Sequence, residues 1–257
     1  MSAAGSSIHY DTQFYADQVK GSQSSSQRIL PFVIELLKPR SVVDVGCGVG
    51  TWLKVCLELG VDTIAGLDGD YVSRPALQIP QNAFTPTDLQ HKFSVAQQFD
   101  LALCLEVAEH LPVECGPTLV TSLTEAAPAV LFSAAIPGQG GTYHINEQWQ
   151  DYWRNHFKAA GYLAVDFVRP KVWGLPDVES WYQQNTILYC SQETLAALPS
   201  LAAVDSNLSL DLVHPESFLR VRDEGHQYFS KTIKLLPGLF AAAVTRKIGG
   251  SPSRWTR

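Results

Sequence analysis

Val42-Val43-Asp44-Val45-Gly46-Cys47-Gly48-Val49-Gly50 is the stretch whose reading decides the fold. An apolar, β-branched run of strand character enters a turn with three alternate glycines, and a helical pattern over 51–60 follows. Glycine suits such a turn because a ligand can then approach the backbone more closely than any Cβ permits. A G-x-G pair alone also serves turn geometry, so the weight falls on its surroundings. The spacing is G-x-G-x-G with Asp44 two residues before the first glycine, unlike the G-x-G-x-x-G of nicotinamide and flavin folds.

Outward from this turn, strand-like and helix-like segments alternate. Strands are predicted over 42–46, 62–68, 84–88, 99–106, 129–136, 162–169 and 186–190, and helices over 116–127 and 148–160. An earlier helix is expected from a Ser26 cap to Leu37, its start left open by Pro31 and its end set by Lys38-Pro39. Such alternation implies crossover connections and a mostly parallel sheet, an α/β, Rossmann-like, doubly wound fold. The expected organisation is an N-terminal arm (1–25), a cofactor-binding domain (26–191) and a C-terminal helical extension (192–257).

Two more acids sit at strand ends. Asp68 closes the second strand 22 residues after Gly46, where a carboxylate accepts from ribose hydroxyls. Asp88 closes the short third strand and can face an adenine amino group.

With these residues the chain resembles the class I S-adenosylmethionine (SAM) dependent methyltransferases. The resemblance runs over roughly 28–191, through the turn at 44–50, Gly66-Leu67-Asp68, Thr87-Asp88-Leu89 and Phe99-Asp100-Leu101-Ala102-Leu103-Cys104-Leu105-Glu106. It implies a seven-stranded sheet with one antiparallel strand, which 186–190 would supply. It also implies that Asp44, Gly46, Cys47 and Gly48 form the turn past which the methionine portion of SAM lies. Asp68 would hold the ribose, Asp88 and Leu89 the adenine, and Leu105 would contact the cofactor through its backbone.

A second signal is Glu106-Val107-Ala108-Glu109-His110. If the fourth strand ends near Glu106 and turns into a helix, Glu106, Glu109 and His110 share one side. His144 lies in the glycine-rich loop after the fifth strand and would open onto the same pocket. Two carboxylates and two imidazoles suit Mn²⁺, Fe²⁺ or Zn²⁺ and can hold Mg²⁺. The segment is similar to the metal site of small-RNA 2′-O-methyltransferases and to the ubiquinone-biosynthesis O-methyltransferases. That likeness implies a metal that grips the acceptor's hydroxyls and lowers their pKa. Two plainer readings stay open: Glu-His only fixes a helix start, or His144 acts alone as general base.

Aromatic and amide side chains cluster in His144-Ile145-Asn146-Glu147-Gln148-Trp149, Tyr152-Trp153 and Trp181-Tyr182-Gln183-Gln184-Asn185. These resemble stretches in bacterial methyltransferases of glycan and natural-product biosynthesis, and such rings and amides can hold a polyhydroxylated ligand. Trp149, Tyr152 and Trp153 equally suit the core face of a helix. Trp181 and Asn185 lie where an insertion covering the substrate is expected. Tyr15 and Gln18 of the arm either close over the cofactor or belong to a plain tail.

Composition narrows the partners. With 46% hydrophobic and 17% charged residues over 257 positions the chain is globular, and a net charge of −6 disfavours a phosphate backbone as partner. Five scattered cysteines without a C-x-x-C pair read as reduced thiols of a cytoplasmic protein. Residues 1–7 lack a signal-peptide pattern, and the apolar run 235–244 falls short of the ~20 residues a spanning helix needs. The tail over 231–257, with Lys231, Lys234, Arg246, Lys247, Arg254 and Arg257 and no acid, reads as a docked helix or as a surface for an anionic partner.

The function expected is therefore SAM-dependent methyl transfer to a hydroxyl of a small polar metabolite, a sugar or natural product. Glu106, Glu109, His110 and His144 are the expected metal ligands, with His110 and His144 in catalytic roles. The rivals are a metal-free O- or N-methyltransferase using His144 as base, and a non-catalytic SAM-binding partner protein.

Overall fold

Why the chain forms one sheet is visible in its strands. The computed structural model describes residues 12–223, with residues 12–20 as backbone alone. β4 (Leu101–Leu105) and β5 (Ala129–Ser133) are buried at every position, and β1 (Ser41–Val45) at all but its first residue. Strands covered on both faces need crossover helices and pair in parallel. With β2 (Thr63–Asp68), β3 (Phe84–Pro86), β6 (Tyr162–Val165) and β7 (Ile187–Ser191) they make a seven-stranded sheet in the order β3-β2-β1-β4-β5-β7-β6. β7 runs antiparallel to both its neighbours, so the single reversed strand is the one expected near 186–190. The arrangement is Rossmann-like and doubly wound.

Two apolar layers enclose the sheet. On one face α1 (Thr12–Leu37), α2 (Thr51–Glu58) and α6 (Ser180–Asn185) contribute Ile29, Leu30, Leu53 and Tyr182. On the other, α3 (Gly116–Ala126) and α4 (Gln150–Ala159) contribute Leu119, Leu123, Trp153 and Phe157. The Phe157 ring stacks on Tyr189 of β7 at 3.8 Å. Of the three aromatics expected as a core face, Trp153 is buried, Tyr152 is half-buried edge-on to it, and Trp149 is exposed.

Several elements differ from their sequence pattern, each for a physical reason. The first helix begins at Thr12 rather than at a Ser26 cap. Ser26 is buried inside it and donates back to the Gln23 carbonyl at 2.8 Å, the local bond by which serine is tolerated within a helix. Ser25 accepts from the Glu179 N–H at 3.0 Å, a long-range tie no local pattern announces. The sixth strand stops at Val165, because buried Arg169 pairs with both oxygens of Asp166 and opens α5 (Arg169–Val172). Arg169 also donates to the Leu210 carbonyl at 2.7 Å, holding the chain beyond α7 (Gln192–Ala197). The compact unit accordingly runs through His214. Residues 1–11 and the basic stretch 231–257 lie outside the described residues, as do the side chains of Tyr15 and Gln18.

Candidate active site at the carboxyl ends of the central strands

The turn after β1 is built for close approach. Gly46 and Gly48 have φ of 82° and 53°, the left-handed region that favours glycine. A Cβ on Gly46 would strike the Val107 side chain, whereas one on Gly48 would meet nothing within 4 Å. Open space therefore faces the turn at Gly48. The N–H groups of Gly46 and Cys47 donate to the Leu67 carbonyl at 2.7 and 3.2 Å, tying the turn to the end of β2.

At that end Asp68 is nearly saturated. Its carboxylate accepts from the Gly48 N–H at 2.7 Å, the Gly69 N–H at 2.6 Å and the Tyr71 hydroxyl at 2.6 Å. Tyr71, 79% exposed, is a site residue that the sequence pattern did not single out. Asp44 lies buried within β1, where burial and then the charge of Asp68 push its pKa up to about 8. Cys47 packs inward against Gly66, and burial raises its thiol far above the ordinary range, so its backbone is what it offers to the turn. Two residues beyond β3, Asp88 is exposed. It accepts from the Gln90 N–H and pairs with the His91 ring, each at 3.0 Å, and these bonds lower its pKa, the Gln90 bond most. Leu89 and Leu105 are buried, the latter ending β4.

Beyond β4 the expectation of a helix is corrected. Glu106 takes φ 55°, and only one 3₁₀ turn, Ala108–His110, follows before Pro112. The three residues therefore do not share a helix face. Glu109, His110 and His144 come together, with one potential ligand atom from each lying within 4.8 Å of the others. Glu106 stands outside that group. Its oxygens accept from Asn185 at 3.2 Å and Gln139 at 3.0 Å, while burial raises its pKa. Asn185 Nδ2 also donates to Gln139 Oε1 at 2.9 Å, so Asn185, expected to cover substrate, is instead a buried support beneath the site. Trp181 is half-buried with its ring tilted 6.1 Å from Tyr182.

The chemistry of the three-residue group is distinctive. Glu109 is 0% exposed; no donor meets its carboxylate oxygens in full hydrogen-bond geometry, although the backbone N–H groups of Glu109 and Ala135 and the Glu106 carboxyl lie against it. Burial, and then the neighbouring Glu106 carboxylate, hold its pKa well above the usual range. Burial, and then His144, lower the pKa of His110, which favours the neutral imidazole. A fully buried carboxylate beside the ring nitrogens of two histidines, one of them held neutral, is a donor set that a cation can fill. The residues present fit a divalent metal.

The loop carrying His144 is sewn onto the 3₁₀ turn. The Ile145 and Asn146 N–H groups donate to the Glu109 carbonyl at 2.9 and 3.1 Å, and Asn146 Nδ2 donates to the Ala108 carbonyl at 3.2 Å. Glu147 accepts from the Gly138 N–H at 2.7 Å, the Gly140 N–H at 2.8 Å and His144 Nδ1 at 3.1 Å. Sequence spacing gave no role to Glu147, because its partners meet only through the folded loop.

A doubly wound sheet with a glycine turn after β1, an acid at the tip of β2 and a titratable cluster past β4 and β5 has the architecture of a class I methyltransferase. Residues 20–163, more than half of the chain, match the family described as a methyltransferase domain. The chain belongs to this family and is a methyltransferase whose cofactor is S-adenosylmethionine. Among solved structures, it is similar to the sugar N-methyltransferase KedS8 of Streptoalloteichus sp. ATCC 53650 at 15% identity and a TM-score of 0.54, covering 74% of this chain and 98% of that one. Streptomyces venezuelae DesVI aligns at 16% identity and a TM-score of 0.52, covering 70% and 95%. The plantazolicin methyltransferase BpumL, solved with S-adenosylhomocysteine (SAH), aligns at 13% identity and a TM-score of 0.50, covering 69% and 87%. No curated protein matches the chain in sequence.

Proposed function

We propose that this methyltransferase transfers the methyl group of SAM to a hydroxyl of a small polar metabolite, a sugar or a natural product, with divalent-metal assistance from Glu109, His110 and His144. The carrying observation is the fully buried Glu109 carboxylate, one oxygen of which lies within 4.8 Å of a ring nitrogen of both His110 and His144. One carboxylate and two imidazoles suit Mn²⁺, Fe²⁺ or Zn²⁺ better than Mg²⁺. When bound, such an ion supplies Lewis acidity that lowers the pKa of a hydroxyl held against it.

The chain's own residues do the rest. The turn at Gly46 and Gly48 and the Asp68 carboxylate hold the cofactor, with Asp44 behind the turn, and Asp88, Leu89 and Leu105 bound the adenosine side. Cofactor and acceptor are oriented for in-line transfer, in which the acceptor oxygen forms a bond to the methyl carbon as the sulfonium bond breaks and SAH is released. Glu106 acts as a support held by Asn185 and Gln139, not as a ligand. The negative chain charge argues against a nucleic-acid acceptor, and the fold shared with the sugar N-methyltransferase KedS8 supports a small one. Five free, buried cysteines support a cytoplasmic setting; among the described residues no helix is long and apolar enough to cross a membrane.

A second reading is favoured by the bond between His144 Nδ1 and Glu147 at 3.1 Å, which leaves Nε2 free to accept a proton without any metal. Titrating Mn²⁺ into metal-stripped, SAH-saturated protein separates the two. Stoichiometric binding that His144→Ala abolishes supports the metal reading. Absence of binding overturns it and leaves His144 as the base, to be tested on a panel of hydroxyl and amine acceptors.

A further inference from the structure

We infer that Glu147 is a positioning residue that fixes the tautomer of His144 and ties down the loop that orients both imidazoles of the site. An ionised carboxylate only accepts hydrogen bonds, so the contact at 3.1 Å requires the proton of neutral His144 to sit on Nδ1. Nε2 then carries the lone pair, whichever role the site gives it. A Cβ on Gly141 would strike this Nε2 edge of the ring, so the glycine beside it keeps that edge uncrowded.

The same carboxylate closes the loop. Oε1 accepts from the Gly140 N–H at 2.8 Å as well as from His144, and Oε2 accepts from the Gly138 N–H at 2.7 Å. Three donors on one carboxylate hold both ends of the stretch 138–147. Within that stretch the Tyr143 backbone, at φ 61°, is hydrogen-bonded to the His110 ring. One residue thereby fixes His144 directly and His110 through the loop. Removing such an outer partner from a ligating histidine typically costs 10–100-fold in metal affinity.

The distribution of contacts makes the test specific. Glu147→Gln can keep its carbonyl oxygen at the Oε1 position, preserving the bonds to Gly140 and His144, and then loses only the acceptor for Gly138. Glu147→Ala loses all three. Selective ¹⁵N-histidine NMR of metal-free, SAH-saturated protein, with His144→Ala assigning the signal, reads the tautomer directly at a pH where the imidazole is neutral.

The expected result is an Nδ1-protonated His144 in the wild type, retained in Glu147→Gln and lost to the Nε2-protonated form in Glu147→Ala. Mn²⁺ affinity should fall 10–100-fold in Glu147→Ala and less than tenfold in Glu147→Gln. An Nε2-protonated His144 in the wild-type protein overturns the assignment without any variant. So does an unchanged tautomer in folded Glu147→Ala, or its loss in Glu147→Gln. The expected change in Mn²⁺ affinity rests on the proposed metal reading; the tautomer does not. A wild-type protein that binds no Mn²⁺ but shows the expected tautomers fails the former alone.

Discussion

The imidazoles of His110 and His144 meet edge to face, with 4.9 Å between ring centroids and 84° between planes. Two bases from different loops are held this close because the loop after β5 is hydrogen-bonded onto the turn after β4. The buried Glu109 carboxylate completes the group at a cost to stability, since burial disfavours its charged form.

That cost can be measured. Replacing Glu109 by methionine removes a fully buried ionisable carboxyl while roughly keeping volume, a change worth about 1–3 kcal/mol in favour of the fold. Metal-stripped Glu109→Met should melt several degrees higher than wild type, at about 2–4 °C per kcal/mol for a protein of this size. It should also lose Mn²⁺ binding and transfer while keeping SAH affinity. A lower melting temperature would sink the view that the carboxylate is retained for a ligand.

The two glycines of the turn should fail differently. Gly46→Ala adds a Cβ against Val107 at a positive φ, so it should destabilise the fold by roughly 2 kcal/mol or more. Gly48→Ala meets no protein atom and should cost only the left-handed backbone penalty, about 1–2 kcal/mol. Its main effect should be on SAH affinity, down tenfold or more by calorimetry. Undiminished SAH binding in folded Gly48→Ala would remove the close approach of cofactor to this turn.

Asp44 gives the apoprotein a pH dependence of defined sign. Its folded pKa of about 8 lies above the unfolded value of about 3.9, so folding favours the protonated form. Its stabilising effect is complete below about pH 4 and is lost as pH rises toward 8, by up to ~1.4 kcal/mol per unit. Burial raises Glu106 and Glu109 in the same direction. Urea midpoints measured from pH 5 to 9 should therefore fall, and Asp44→Asn should fall less steeply. Parallel curves would show that Asp44 does not titrate in this range.

Tyr71 and the ribose are expected to compete for Asp68. The carboxylate already accepts three hydrogen bonds, and the Tyr71 hydroxyl contributes one of them at 2.6 Å. Tyr71→Phe frees that position and should tighten SAH binding several-fold, as one charge-assisted hydrogen bond no longer has to be displaced. Weaker binding would instead make the hydroxyl a partner of the cofactor.

The sequence alone determined the sheet and the glycine turn at its centre. The glycine turn, the acids at Asp44 and Asp68 and the apolar strands are local signals, because turn dihedrals and burial on both faces are imposed within a few residues. It also marked Glu109, His110 and His144 as candidates, by residue type and placement after neighbouring strands. Only the tertiary structure decided which of them meet. The left-handed Glu106 and the short turn before Pro112 break the helical spacing that would have put Glu106, Glu109 and His110 on one side. The amides of Gln139 and Asn185, 33 and 79 residues from Glu106 in sequence, then satisfy that carboxylate. Glu147 acquires its role from loop hydrogen bonds in the same way. Spacing can align residues within one regular element, whereas contacts made across a folded loop follow from backbone geometry that residue identity does not encode locally.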